Sequence, residues 1–182
     1  IPDVRPMLAG GTESIRAQIE KNQAACGDDR KDYFEAMKIS LDALEVLADR
    51  YAALAEEKEA AASGEAKERY RLMKDTLKKV PRHGADDLFE AIQSFILIWQ
   101  TMCLEQTPNP FAFSVGNADR IFEPYRAKTN MSREVAASLF KHLLVFFNVA
   151  DRSWAISQNL IIGGKSNEGE DLTNPTSYAL LD

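Results

Sequence analysis

Apolar residues recur along most of this chain at steps of three and four, the spacing that places side chains on one face of an α-helix. From Thr12, a residue type that caps helix starts, Ile15, Ile19 and Ala24 predict a helix ending near Gly27. Asp28 and Asp29 open a longer helix, in which Phe34, Met37, Leu41, Leu44, Ala48, Tyr51 and Ala55 form one stripe. Ile39, Ala43, Val46 and Leu47 widen that stripe beyond a simple two-helix seam. The charged tract from Glu56 to Ala62 carries the helix into solvent, and Ser63-Gly64 ends it. A third helix, from about Glu65 to Lys79, presents Tyr70, Met73 and Leu77 as its buried face, with Pro81 just past its end. The second and third helices form an antiparallel hairpin.

The run Phe95-Ile96-Leu97-Ile98-Trp99 fits a helix or a strand by periodicity alone. Asp87-Leu88-Phe89-Glu90 upstream has the form of a capping box and decides for a helix, apolar all round and therefore central in a larger core. After Pro108-Asn109-Pro110 the character changes. Phe111 to Val115 reads as a short strand ended by Gly116, and Ser132 caps a helix carrying Val135, Leu139, Leu143, Phe146 and Phe147. Asn159 to Ile162 reads as a second strand stopped by Gly163-Gly164, and Pro175-Thr176 begins a final helix. The fold class expected is mainly α with a few short strands, divided into a helical part over 1–107 and strands with connecting helices over 108–182.

Composition narrows the function. The chain has 182 residues, 45% hydrophobic and 27% charged, with a formal net charge of −6. Those figures suit a globular fold, and no Lys/Arg cluster supplies the basic face that nucleic acid requires. No apolar run approaches the ~20 residues of a membrane span, so neither nucleic acid nor membrane is expected as a partner. Cys26 and Cys103 stand far apart, which gives neither a disulfide framework nor a zinc pattern and points to a reducing cytoplasm. The first residues, Ile1 to Pro6, lack the apolar stretch of a signal peptide, and the missing initiator Met suggests a chain cut from something longer.

Gly163-Gly164-Lys165-Ser166 invites a phosphate-loop reading, but the required earlier glycine is Asn159 and an acidic loop follows instead of a helix. His83 and His142 have no companions at ligand spacing, so no metal site is expected. No Gly-x-Ser-x-Gly is present and neither Cys neighbours a His, which leaves no activated nucleophile. Two segments offer more: Phe111 to Tyr125, and Trp154 to Asp182. Each sets polar residues at the end of a short strand, where a barrel places ligand groups; taken separately, each piece is explained by a structural turn.

In those segments a family resemblance emerges. Gln158-Asn159-Leu160-Ile161-Ile162-Gly163-Gly164, continued by Gly169-Glu170-Asp171-Leu172-Thr173-Asn174-Pro175-Thr176-Ser177-Tyr178, resembles the strand, Gly-Gly, Gly-x-Asp-x-Thr-Asn-Glu-Leu-Ser-Tyr passage of glycyl radical enzymes of the pyruvate formate-lyase type. Tyr33-Phe34-Glu35-Ala36-Met37 with Asp49-Arg50-Tyr51-Ala52 is similar to the family's helix before the barrel. Val80-Pro81 with Phe89-Glu90-Ala91-Ile92-Gln93 resembles its Val-Pro and Phe-x-Glu-Ala-x-Gln motifs. Ser114-Val115-Gly116-Asn117-Ala118-Asp119 with Pro124-Tyr125 resembles its Ser-x-x-Gly-Arg-x-Asp-Gln and Pro-Tyr motifs. Asn117 stands where the family usually has Arg, Arg120 where it has Gln, and Pro175 where it has Glu.

The resemblance implies an internal section of a glycyl radical lyase or dehydratase: a helical hairpin and the first strands of a ten-stranded α/β barrel. It implies a small-molecule substrate and a glycyl radical installed by a partner S-adenosylmethionine radical activase, and it allows a homodimer. It places substrate-binding residues at Phe111, Phe113, Ser114, Asn117 and Asp119. Phe111 falls where one dehydratase branch has a hydroxyl-binding His, so its ring suits an apolar or cationic substrate better than a triol. The family's catalytic Cys and radical Gly match no position here, so the chain is expected to bind no cofactor itself and to be inactive alone. The contrasting expectation is a non-catalytic helical interaction module of the same descent, whose Phe95–Trp99 helix a partner would cover.

Overall fold

The computed structural model describes residues 3–26, 30–106, 114–150 and 159–182, without the side chains of 106 and 148–150. In chain order the elements are α1 (Arg5–Cys26), α2 (Lys31–Ala61), α3 (Gly64–Lys79), α4 (Leu88–Gln106), β1 (Gly116–Asn117), α5 (Ala118–Lys128), α6 (Arg133–Ala150), β2 (Leu160–Ile161) and α7 (Pro175–Leu181). They gather into two compact units, Arg5–Ala85 and Asp86–Asp182 with Ile1–Val4.

In the first unit α1 starts at Arg5, seven residues before Thr12, and breaks at Gly11 (φ 68°, ψ −175°). The break leaves backbone N–H groups at the start of its second half without helical acceptors. The following loop supplies them: the Thr12 and Glu13 amides donate to the Pro81 and Arg82 carbonyls at 2.8 and 3.2 Å. Thr12 does not act as the expected cap, because its hydroxyl donates across to Glu45 on α2 at 2.5 Å. The α2–α3 hairpin forms as expected, and α1 packs on α2 as well. Phe34, Leu44, Ala48, Ala52 and Ala55 are buried on α2, and Thr76 and Leu77 on α3. Met37, Ile39, Val46, Tyr51 and Met73 are exposed instead. Alanines at three of the buried positions on α2 let helix backbones approach closely, so the seam needs fewer large residues than the apolar periodicity offers.

The second unit is organised around α4. Asp87 accepts from the Glu90 amide at 2.8 Å, which confirms the helix start, while Glu90 reaches back to the Asp86 amide at 2.7 Å, one residue short of a strict box. Leu88, Ala91, Ile92, Phe95, Ile96, Leu97 and Trp99 are all buried. The covering rings come from within the unit: Phe122 and Phe147 lie 6.0 and 6.1 Å from Phe95, and Phe147 lies 5.1 Å from Trp99. On α6 the Ser132 hydroxyl accepts from the Val135 amide at 3.4 Å, in keeping with a cap. Val135 itself is exposed, and the buried face consists of Ala136, Ala137, Phe140, Leu143 and Phe147.

Among the described residues the strands are two residues long each and pair in parallel, Gly116 with Leu160 and Asn117 with Ile161. Residues 111–113 of the expected first strand lie outside the described residues. Its described end, Ser114 and Val115, is not strand, and pairing begins at Gly116, where the strand was expected to stop. Gly116 has φ 86°, a backbone conformation that an apolar alternation pattern does not anticipate. The second strand falls within the expected stretch and ends at Ile161, two residues before Gly163 and Gly164, both at positive φ.

Candidate functional site

Three of the five predicted site residues are described, and those three lie at the β1–β2 pair. Ser114 precedes β1 and is half-buried, and its hydroxyl oxygen accepts from the Asn159 amide at 3.2 Å. Asn117 ends β1 and is half-buried, and its side chain makes no cap hydrogen bond to α5. Asp119 lies in the first turn of α5 with no exposed surface. Phe111 and Phe113 lie outside the described residues.

A buried carboxylate is tolerated only when its oxygens are hydrogen-bonded. Asp119 meets that demand entirely with protein donors. Oδ1 accepts from the Arg120 amide at 2.7 Å, and Oδ2 from the Gly163 amide at 2.6 Å and the Ser177 hydroxyl at 2.5 Å. Ser177 also accepts from the Asn174 amide at 3.0 Å, while Asn174 Oδ1 accepts from the Thr176 and Ser177 amides. Asn174 is thus the N-cap of α7 in a reciprocal capping box. Pro175 takes a first-turn position whose missing N–H costs nothing, which explains in backbone terms how the chain accommodates it.

One turn after Asp119, Glu123 repeats the pattern. Its carboxylate receives a two-point contact from Arg126 at 2.8 and 2.7 Å and accepts from the Thr176 hydroxyl at 2.6 Å and the Thr176 amide at 3.2 Å. The Arg126 guanidinium holds the Glu123 carboxyl below its usual range, and Glu123 in turn raises Arg126. Asn174, Thr176 and Ser177 belong to the motif passage quoted above but carry no site role there, and Glu123 is not singled out by the sequence. The available signal was Asn174-Pro175-Thr176-Ser177, a cap residue followed three positions later by a hydroxyl.

The Gly163–Thr173 segment folds back on itself, with the Leu172 amide donating to the Gly164 carbonyl at 2.9 Å and a bridge between Lys165 and Asp171. This is a strand turn, and no helix follows Lys165 to receive a phosphate. Among the described residues no group of His, Cys, Asp and Glu could hold a metal ion, and no helix is long and apolar enough to cross a membrane. Cys26 is exposed, whereas half-buried Cys103 has its thiol pushed up to about 11 by burial.

Comparison with known proteins bears on the whole chain. A family model described as "Pyruvate formate lyase-like" matches residues 1–182. Isethionate sulfite-lyase of Desulfovibrio desulfuricans is 25% identical, over 100% of this chain and 24% of the relative. Trans-4-hydroxy-L-proline dehydratase of Clostridioides difficile is 28% identical, over 84% of this chain and 21% of the relative. A solved glycyl radical enzyme from Archaeoglobus fulgidus superposes with a TM-score of 0.85 at 26% identity, covering 97% of this chain and 26% of that one. The chain therefore spans about a quarter of the length of the relatives it matches.

Proposed function

The chain belongs to the pyruvate formate lyase-like family of glycyl radical enzymes, and we propose that it is a section of a lyase or dehydratase contributing one wall of the substrate pocket. The observation that carries this reading is the convergence of Ser114, Asn117 and Asp119 on the β1–β2 pair, together with relatives that cleave carbon–sulfur and carbon–oxygen bonds by name. In the proposal 1–107 is the helical part of the family domain and 108–182 carries the first strands of its ten-stranded barrel. Phe111, Phe113, Ser114 and Asn117 face a small-molecule substrate, with Asp119 behind them. The Asn159 amide fixes the Ser114 oxygen as an acceptor, which leaves its O–H proton for a substrate oxygen. Asn117, in place of the family's Arg, offers a neutral amide and no charge to clamp a carboxylate.

Hydrogen abstraction would be supplied by a glycyl radical group elsewhere in the polypeptide, installed by an activating S-adenosylmethionine enzyme. Neither cysteine described here stands in a Gly-Cys loop: Cys103 follows Met102 within α4, and Cys26 follows Ala25 at the end of α1. On this reading the chain is inactive without the rest of its enzyme, which works in the cytoplasm of an anaerobe. The rival interaction-module reading loses its main support, because the Phe95–Trp99 helix is covered by α5 and α6.

The test is anaerobic turnover by the full polypeptide after activation, using glycerol, 1,2-propanediol, trans-4-hydroxy-L-proline and isethionate. Formation of an aldehyde, a dehydrated imino acid or sulfite supports the proposal. A reading frame that encodes no Gly-Cys loop and no glycyl radical motif anywhere in the parent defeats it.

A further inference from the structure

We infer that Asp119 is a positioning residue that extends the β1–β2 register and locks it to the start of α7; this deepens, and rests on, the pocket-wall reading above. Two rungs of parallel pairing are too few to hold a register by themselves. The pair is bracketed at both ends by side chains bonding to backbone. At one end Ser114 receives the Asn159 amide, and at the other Asp119 receives the Gly163 amide. Asp119 and Gly163 stand at the same 44-residue offset as the two backbone rungs, two positions beyond the last of them, so the carboxylate carries the register past the end of the backbone pairing. A side chain is needed there because the chain leaves β1 into α5 and its own carbonyls turn into the helix.

The second oxygen contact joins this ladder to α7. The Asn174 amide donates to the Ser177 hydroxyl and the Ser177 hydroxyl donates to Asp119 Oδ2, where the Gly163 amide also donates, so the α7 cap and the segment after β2 meet on one carboxylate oxygen. Every group facing the Asp119 oxygens is a donor: Arg120 N–H, Gly163 N–H and Ser177 O–H. An amide offers one acceptor where the carboxylate offers two, so Asp119→Asn sets an NH2 against at least one of these donors. With no exposed surface, water cannot replace the lost bond. The effect reaches the pocket because Asn117 and Ile161 sit on the last rung beside this lock.

The experiment uses the full polypeptide and compares Asp119→Asn and Ser177→Ala with the parent. Backbone hydrogen exchange and amide proton shifts are read at Gly163 and at Asn174. The asparagine oxygen in the Oδ2 place still accepts from Gly163 but as a neutral, weaker acceptor, so we expect Gly163 exchange to rise about tenfold in Asp119→Asn, with its amide proton moving upfield. We expect Ser177→Ala to raise exchange at Asn174 and to shift the Gly163 proton through the shared carboxylate. Turnover of the compounds above by Asp119→Asn should lose kcat with little change in KM, as suits a misplaced wall. Unchanged Gly163 exchange and shift in both variants overturn the inference, as does an effect confined to KM. Should Asp119→Asn fail to fold, Ser177→Ala decides through the Gly163 shift. A parent that turns over none of the compounds removes the pocket-wall reading, while the exchange data still decide whether Asp119 locks the register.

Discussion

Glu123→Gln removes one negative charge from the α5–α7 junction at almost constant shape. Oε2 carries three of the four hydrogen bonds, from Arg126 Nε and the two Thr176 donors, and Oε1 carries the contact to Arg126 Nη2. With glutamine oxygen in the Oε2 place, its NH2 faces the Arg126 Nη2–H, and a charge-assisted bond becomes a donor–donor clash. Arg126 keeps the Met131 carbonyl at 2.9 Å but loses its carboxylate partner among the described residues. Charge-assisted bonds at a site this sheltered contribute about 1.5–3 kcal/mol, so the variant should lose ~2 kcal/mol at neutral pH. The pH dependence follows from the depressed Glu123 carboxyl. Its stabilisation is complete above the ordinary glutamate value of about 4.3 and is lost as pH falls through the lower folded value. The gap between wild type and variant is therefore widest near pH 7 and closes in acid below that window. Urea unfolding at pH 7 and in steps below pH 4.5, followed by the fluorescence of Trp99 in the same unit, measures it. A gap that is absent at pH 7, or that widens in acid, refutes the reasoning.

Gly11→Ala should destabilise the first unit by about 3 kcal/mol or more, since φ 68° with ψ −175° is glycine territory and the new Cβ would stand 2.2 Å from the Arg82 carbonyl oxygen. Thermal unfolding of the chain checks it, and a loss below about 1 kcal/mol would mean the α1 break is not held as described. Cys103, with its thiol pushed up to about 11, should be only about a thousandth thiolate at pH 8 and alkylate far more slowly than exposed Cys26. Peptide mapping after brief iodoacetamide treatment reads the ratio, and equal labelling would contradict the burial of Cys103.

The helices were legible because their apolar residues repeat at helical spacing and their starts carry caps, as at Asp87 and Ser132. Burial was less legible, because periodicity reports every apolar face while packing uses only the one a neighbour covers. Ile39 and Val46 keep the helical period yet stay exposed, and alanines close the α2 seam instead. The described end of the first strand differs from expectation for a related reason. The pairing begins at Gly116, where positive φ and a partner 44 residues distant matter more than local composition. At the candidate site, the motif resemblance pointed to Ser114, Asn117 and Asp119, which lie at the β1–β2 pair. It did not expose the partners Gly163, Asn174 and Ser177, because a hydrogen bond across that distance leaves no mark on either residue's neighbours in sequence.

The central claim is that this chain is part of an enzyme working through a glycyl radical, and electron paramagnetic resonance tests it most directly. The full polypeptide, reduced, kept anaerobic and treated with its activating enzyme and S-adenosylmethionine, should show the doublet of a glycyl radical, collapsing on exposure to oxygen. A protein that stays silent under conditions that activate its relatives would contradict the account.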